Sequence, residues 1–143
     1  MHGKTISLLA VAAALVAGGC GADKRADDRA DAGQARVSQV VDRLGAAARS
    51  RDAKAICEDL FTKNLQTSIR RTAGTSCAAE VGRNLFSAQT RFSVEKVDVG
   101  DAQAVALVKD QKGRESSLVL FPESGVWKIA RIGSAADVRG LAG

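Results

Sequence analysis

The most reactive side chains in this sequence are three thiols, those of Cys20, Cys57 and Cys77. Histidine occurs only at His2, and tyrosine is absent. If residues 1–19 are removed, no histidine remains, and a nucleophile–base triad built on an imidazole is then excluded. Two thiols without an imidazole also leave a zinc shell incomplete. We therefore expect no metal site and no cofactor.

Cys20 closes an N-terminal segment that has the pattern of an export signal. Lys4 gives a positive start, the apolar run over residues 6–17 is 12 residues long, and two glycines precede the cysteine. A membrane-spanning helix needs about 20 apolar residues, so this run is typical of a secretory signal. The segment resembles a bacterial lipoprotein signal peptide, with Ala17 at the lipobox position where a larger apolar residue is usual.

In lipoproteins of this kind the signal is cut before the cysteine, whose sulfur then carries acyl chains such as palmitate. The resemblance implies that residues 1–19 are a signal peptide, that Cys20 is lipidated, and that the protein is anchored in the cell membrane facing outside the cytoplasm. Two or three acyl chains would hold it stably, since each buried methylene contributes about 0.8 kcal/mol. The alternative is an ordinary secretory signal that leaves Cys20 as a free thiol.

Removing 19 of the 143 residues leaves 124, which is enough for one domain, and lowers the net charge from +5 to +4. Cys57 and Cys77 are then an even pair in an exported chain, which is typical of a disulfide. Closing this loop would stabilise the fold by roughly 3 kcal/mol in the chain-entropy account. Two buried thiols that never meet are the alternative.

Composition divides the chain after the signal into three parts. Residues 20–36 mix charges with Ala and Gly and lack large apolar side chains, which predicts a lipidated cysteine followed by a flexible tether. The later part of this tether could instead join the first helix, because Ala and Arg are good helix formers. Residues 37–134 are the predicted domain, and residues 135–143 are a C-terminal tail.

Helices are predicted in the first half of the domain. Apolar residues recur every three or four positions from Val37, and Asp52 is a typical N-cap for a second helix. This second helix restarts at Thr62 and stops near Gly74. A third helix is expected to begin at Cys77 and to run to about residue 88, so that a disulfide would join the starts of the second and third helices.

Four short strands joined by turns are predicted after the helices, which indicates an antiparallel meander. The alternation in the first strand changes phase at Glu95 and Lys96, and a bulge there would reconcile the two halves. Pro122 to Gly125 read as the last turn. The strands are expected over residues 92–99, 102–109, 116–121 and 126–132.

Helices followed by such a meander make an α+β layer, with N-terminal helices packed on a curved four-stranded antiparallel sheet. The chain is similar here to the NTF2-like superfamily, the fold of ketosteroid isomerases, and in particular to small exported lipoproteins of high-GC bacteria. Cystatin-like and other helix-on-sheet folds are the competing interpretations. The likeness is carried by Val37 to Leu44, Ala55-Ile56-Cys57, Ser76-Cys77 and Gly125-Val126-Trp127-Lys128-Ile129.

The NTF2-like resemblance implies a cone that often holds a cavity between sheet and helices. Ala104 and Ala106 are small where a packed sheet would prefer Val or Ile, so they could leave room for an apolar ligand or let a helix approach closely. Trp127 would be either core or a pocket lining. These three residues are our candidate pocket lining.

Enzymes of the superfamily place Tyr, Asp or His in the cavity, whereas this mature chain offers only carboxylates. A lone carboxylate can act as a base when its pKa is raised. No pair converges in the sequence, so we interpret each as a surface charge and name no catalytic residue. The carboxylates considered are Glu58, Asp59, Glu80, Glu95 and Asp101.

The charge pattern does not favour a nucleic-acid partner. Residues 37–134 carry 15 basic and 11 acidic side chains, interspersed, and aromatic residues for base stacking are scarce. The small positive excess would suit an anionic membrane or an ordinary solvated surface.

The first expectation is thus a membrane-anchored, extracytoplasmic, non-catalytic binding or accessory module of the cell envelope. Its partners would be the membrane, through the lipid, and an apolar small molecule or an envelope protein. One alternative is a cavity isomerase or lyase that uses a single carboxylate. The other is an interaction module that forms a homodimer through its sheet.

Overall fold

The computed structural model describes residues 21–136, in which helices precede an antiparallel sheet. The predicted signal peptide, Cys20 and residues 137–143 of the predicted tail lie outside the described residues. The helices are α1 (Gly21–Ser50), α2 (Ala53–Ala55, continued by a π-helical turn over Ile56–Leu60), α3 (Lys63–Ala73) and α4 (Cys77–Glu80, continued by a π-helical turn over Val81–Leu85). The strands are β1 (Phe92–Val99), β2 (Ala104–Asp110), β3 (Glu115–Glu123) and β4 (Val126–Ser134).

The sheet is an open four-stranded antiparallel meander in the order β1-β2-β3-β4, so the predicted α+β class is confirmed. The register of β1 on β2 shifts between Val94 and Lys96, which places the predicted bulge at Glu95. A second bulge, at Ala130, was not predicted: Val119 pairs with Arg131 while the next residue of β3 pairs with Ile129. Bulges of this kind increase the local twist and bend of a sheet.

Helix α1 lies along β1 and runs in the opposite direction. A Cβ added at Gly33 would meet Val99 at the end of β1, and one added at Gly45 would approach Phe92 at its start. The predicted apolar face of α1 is buried in the core against the sheet. Its members are Val37, Val40, Val41, Leu44 and Ala48.

The start of α1 differs from the expectation of a helix from Val37. The helix begins at Gly21, so residues 21–36 are helical in the structure rather than an extended tether. This segment is rich in Ala and Arg, which lose little entropy in a helix. It is also continuous with the buried face that starts at Val37, so each added turn propagates an existing helix without a new nucleation cost. Residues 24–32 are exposed throughout.

The other helix ends follow their capping residues. Asp52 accepts a hydrogen bond from the backbone N–H of Ala55 at 2.9 Å, as predicted for an N-cap. Thr62 caps α3 in the same way, and α3 stops at Gly74, whose φ of 67° suits glycine. The last helix ends at Leu85 rather than at residue 88, because the backbone is extended from Phe86.

The predicted disulfide between Cys57 and Cys77 is present, with the two Cα atoms 6.1 Å apart. It joins the π-helical turn after α2 to the first residue of α4, close to the predicted positions. The β3–β4 turn is tighter than expected, because Pro122 and Glu123 belong to β3. Only Ser124 and Gly125 turn the chain, both at positive φ, as a type I′ hairpin requires.

Candidate functional site

Two adjoining depressions lie at one end of the domain. Because α1 and β1 run in opposite directions, the C-terminal end of α1, the β2–β3 turn and the end of β4 meet at the end of the domain opposite Gly21. The segment that follows α4 closes this end, and Phe86 packs edge-on against Phe92 with ring centroids 6.1 Å apart. Arg83, Phe86 and Ser87 line both depressions.

The larger depression, called here the concave groove, has a volume of about 590 Å³. Its apolar floor comes from the inner face of the sheet and from the end of the last helix. Leu85 and Ile132 remain 42% and 36% exposed there, although both are large apolar residues. A groove of this size with mixed lining falls within the range of small-molecule sites. The floor residues are Leu85, Phe86, Phe92, Val108, Leu118 and Ile132.

Asp110 is one of the two carboxylates that line the concave groove, the other being Glu115. Its side chain is 16% exposed and accepts from the backbone N–H groups of Lys112 and Arg114 and from the guanidinium of Arg114 at 2.7 Å. The backbone N–H of Arg114 is the largest cause that lowers the pKa of Asp110; burial opposes it, and the Arg114 side chain and Lys112 N–H lower the pKa further. Asp110 is therefore ionised and closes the β2–β3 turn.

The smaller depression, called here the Arg51–Arg83 pocket, has a volume of about 260 Å³. Its lining is polar and apolar in about equal parts, and Ile56 and Val81 form its buried part. Arg51 and Arg83 stand at its exposed side. Within residues 21–136 neither guanidinium makes a hydrogen bond or an ion pair, and no carboxylate lines this pocket.

The candidate pocket residues predicted from the sequence lie elsewhere. Ala104 and Ala106 are fully buried in the core with α1 and line neither depression, which is the close-packing alternative. Trp127 is half-buried against the core and lines a separate depression of about 240 Å³ beside Arg36 and Arg43 of α1. The structure thus brings none of the three into the concave groove.

The carboxylates considered from the sequence lie at the surface. Glu58, Asp59, Glu95 and Asp101 are exposed, and the half-buried Glu80 accepts from the side-chain amide of Asn84 at 3.1 Å. Within the described part of the chain, no three residues of the His, Cys, Asp and Glu types gather as a metal site would need. The described helices include none with the length and apolarity to cross a bilayer.

Three residues of the site were not singled out from the sequence. Asp110 precedes Gln-Lys-Gly, and an aspartate before a turn glycine commonly accepts the turn's N–H groups, so this signal was readable. Arg51 and Arg83 had no comparable signal, because their importance comes only from the meeting of two helix ends. The chain matches no protein-family model, no curated protein and no solved structure.

Proposed function

We propose that this protein is a lipid-anchored lipoprotein of the cell envelope, with an NTF2-like domain that acts as a non-catalytic binding module. The N-terminal pattern ending at Cys20 supports the anchor. The disulfide between Cys57 and Cys77 supports export, because such bonds persist in oxidising compartments. The helices on a bulged antiparallel meander are in keeping with the NTF2-like fold.

The observation that carries the binding role is the pair of depressions at the end opposite Gly21. Apolar floors with a few charged groups at the rim are the usual lining of ligand sites, and the adjoining depressions share three residues. The site lies at the end of the domain opposite Gly21, so a lipid at the adjoining Cys20 would leave it accessible.

A cavity isomerase or lyase is the less favoured alternative. General base catalysis by one carboxylate at neutral pH calls for a raised pKa. Two carboxylates line the concave groove. Glu115 is paired with Lys109, and Asp110 has a lowered pKa and oxygens that are occupied by Arg114 and Lys112. Asp110 is suited to holding a turn and is poorly suited to accepting a proton.

A homodimer formed through the sheet is favoured by two exposed apolar residues. Phe121 and Val126 are 41% and 48% exposed, and Phe121 alternates with the buried Leu120, so it lies on the face of the sheet opposite α1. The change Phe121→Asp would keep such a protein monomeric. Light scattering that gives the same mass for this variant and for the unchanged protein would contradict a dimer through this face.

The experiment that tests the proposal has two parts, both on the full-length protein made in its own host. Membrane fractionation compares Cys20→Ala with Gly21→Ala, a control that leaves the thiol in place. We expect the first variant to leave the membrane fraction and the second to remain. A Cys20→Ala protein that stays fully membrane-bound would refute the anchor.

Native mass spectrometry of the gently extracted protein tests the binding role. We expect a mass beyond that of the lipid and the disulfide-bonded chain, and we expect denaturation to remove it. If the native and denatured masses agree, small-molecule binding is refuted, and the search moves to protein partners of the same face.

A further inference from the structure

We infer that the Arg51–Arg83 pocket binds the anionic head group of a small amphiphile, a carboxylate or phosphate monoester joined to a short apolar group. This inference deepens the proposed function, since it names the ligand class of one of its two depressions. It depends on the protein being a binding module and does not depend on the lipid at Cys20.

The first argument is the charge of the lining. Arg51 and Arg83 both line the pocket, and within residues 21–136 neither side chain has a hydrogen-bond or ion-pair partner. The two carboxylates nearest to them in sequence are engaged elsewhere: Asp52 caps α2 through the N–H of Ala55, and Glu80 accepts from Asn84. Arginine binds carboxylate and phosphate groups through its planar fork of donors, so two such forks at one pocket favour an anion.

The second argument is the backbone at Arg51. The chain leaves α1 through a Schellman motif: the N–H of Arg51 donates to the carbonyl of Ala48 at 3.1 Å, and that of Asp52 donates to Ala47 at 2.9 Å. The φ of Arg51 is 56°, in the left-handed region where glycine is the usual residue. An arginine thus occupies a position that glycine would adopt with less backbone strain, and its side chain lines the pocket.

The third argument is the size and polarity of the space. About 260 Å³ corresponds to roughly nine waters, which is small for a drug-sized ligand and suitable for a single ring or a short chain. Ala48, Ile56, Val81 and Phe86 supply apolar walls, and Ser87 adds a hydroxyl at the rim. An anion with an apolar group would thus bind the two guanidiniums and cover the apolar walls. Inorganic phosphate would bind the guanidiniums and leave the apolar walls uncovered.

The test uses the protein purified from its own host, with whatever N-terminal modification it carries there, and follows three probes by fluorine NMR. The probes are 4-fluorobenzoate, 4-fluorophenyl phosphate and the neutral 4-fluorobenzamide. We expect the two anions to bind at micromolar to millimolar concentration and the benzamide to bind at least about tenfold more weakly. Tighter binding of the phosphate would assign a phosphate monoester, and tighter binding of the benzoate a carboxylate. Anions that bind no better than the benzamide, or that do not bind, would overturn the inference.

Variants separate a site from general charge attraction. We expect Arg51→Gly and Arg83→Gln each to weaken anion binding by about tenfold or more, since each removes a charge-assisted contact. Arg49→Gln is the matched control: it removes the same charge from an exposed position in the last turn of α1 that does not line the pocket, and it should bind normally. Equal weakening by Arg49→Gln, or normal binding by both pocket variants, would contradict the site.

Stability provides the second measurement. Arg51→Gly should unfold at the same temperature as the unchanged protein or higher, because glycine accepts the positive φ without strain. Lost binding in a protein of undiminished stability cannot be attributed to misfolding. A native mass spectrum in which Arg51→Gly and Arg83→Gln retain the bound mass would leave the proposed function intact and overturn this inference alone.

Discussion

The contact between Gly33 and Val99 decides whether residues 21–36 belong to the folded domain. A Cβ at Gly33 would lie 3.0 Å from Cγ1 of Val99 and 3.6 Å from its Cβ and Cγ2, whereas carbon atoms normally pack at about 3.5–4.0 Å. Replacing a helical glycine by alanine stabilises a helix by about 1 kcal/mol. Crowding of this kind costs about 1 kcal/mol at the lower end of the usual range. Gly33→Ala alone should therefore change the free energy of unfolding very little.

The same change should have a different effect when Val99 is shortened. Val99→Ala removes the two methyl groups that the new Cβ would meet, so Gly33→Ala should then gain its full helix propensity of about 1 kcal/mol. The predicted coupling energy of the double-mutant cycle is about 1 kcal/mol. This value is measurable, because uncoupled sites are additive within about 0.3–0.5 kcal/mol.

Urea unfolding of the full-length protein, followed by circular dichroism and by the single tryptophan, gives the four free energies of this cycle. A parallel cycle that pairs Gly33→Ala with Val94→Ala is the control, since Val94 is half-buried on the same strand several residues away. Only the Val99 cycle should show coupling. Additivity in both cycles would refute the docked helix and would return residues 21–36 to the role of a flexible tether.

Three further predictions concern the rest of the fold. The double variant Cys57→Ala/Cys77→Ala should lower the free energy of unfolding by about 3 kcal/mol, which is the contribution of loop-closure entropy for a separation of 20 residues. In the same urea titration, a reducing agent should destabilise the unchanged protein and leave this variant unaffected. Phe61→Ala should cost about 3–5 kcal/mol because Phe61 is fully buried, and a loss below 1 kcal/mol would contradict that position. Asp110→Asn should remove part of the loss of folding stability at acidic pH. The folded pKa of Asp110 lies below its unfolded value, so its contribution to the free energy of unfolding is present above about pH 4 and is lost as the pH falls through the folded pKa. If the free energy of unfolding of Asp110→Asn falls with pH in that range as steeply as that of the unchanged protein, the stabilising role of Asp110 is refuted.

The fold class was predictable because its signals are local. The helical spacing of apolar residues predicted the inner face of α1, and the change of phase at Glu95 predicted a bulge. Asp52 and Gly74 predicted the start of one helix and the end of another, and the structure contains all of these features. The extension of α1 into residues 21–36 stood only as the alternative to a tether, because composition alone cannot weigh a polar segment's entropy against the helix that continues from it. The bulge at Ala130 was not predicted, although Ile132 is out of phase with Trp127 and Ile129 in the same way that Val97 is with Val94.

The candidate site could not be read from the sequence for a different reason. The sequence left two alternatives open for Ala104 and Ala106, room for a ligand or the close approach of a helix, and both residues are fully buried in the core with α1. The Arg51–Arg83 pocket instead forms where the end of α1 meets α2 and the last helix, and the concave groove forms between the end of the last helix and the inner face of the sheet. Arg51 and Arg83 are 32 positions apart, and no periodicity of one element links them.

Helix α1 connects the two proposed functional features of the protein. Its first residue, Gly21, adjoins Cys20, and its last residue, Ser50, adjoins Arg51 at the pocket. Thirty residues of α-helix span about 45 Å, of which the turns before Gly33 provide about 18 Å. With a lipid on Cys20, one continuous helix would therefore connect the anchor to the pocket. A disordered tether of 16 residues could reach about 50 Å and would let the domain rotate freely. Because the helix and the sheet share a core, the distance from Gly21 to the pocket is set by the fold itself.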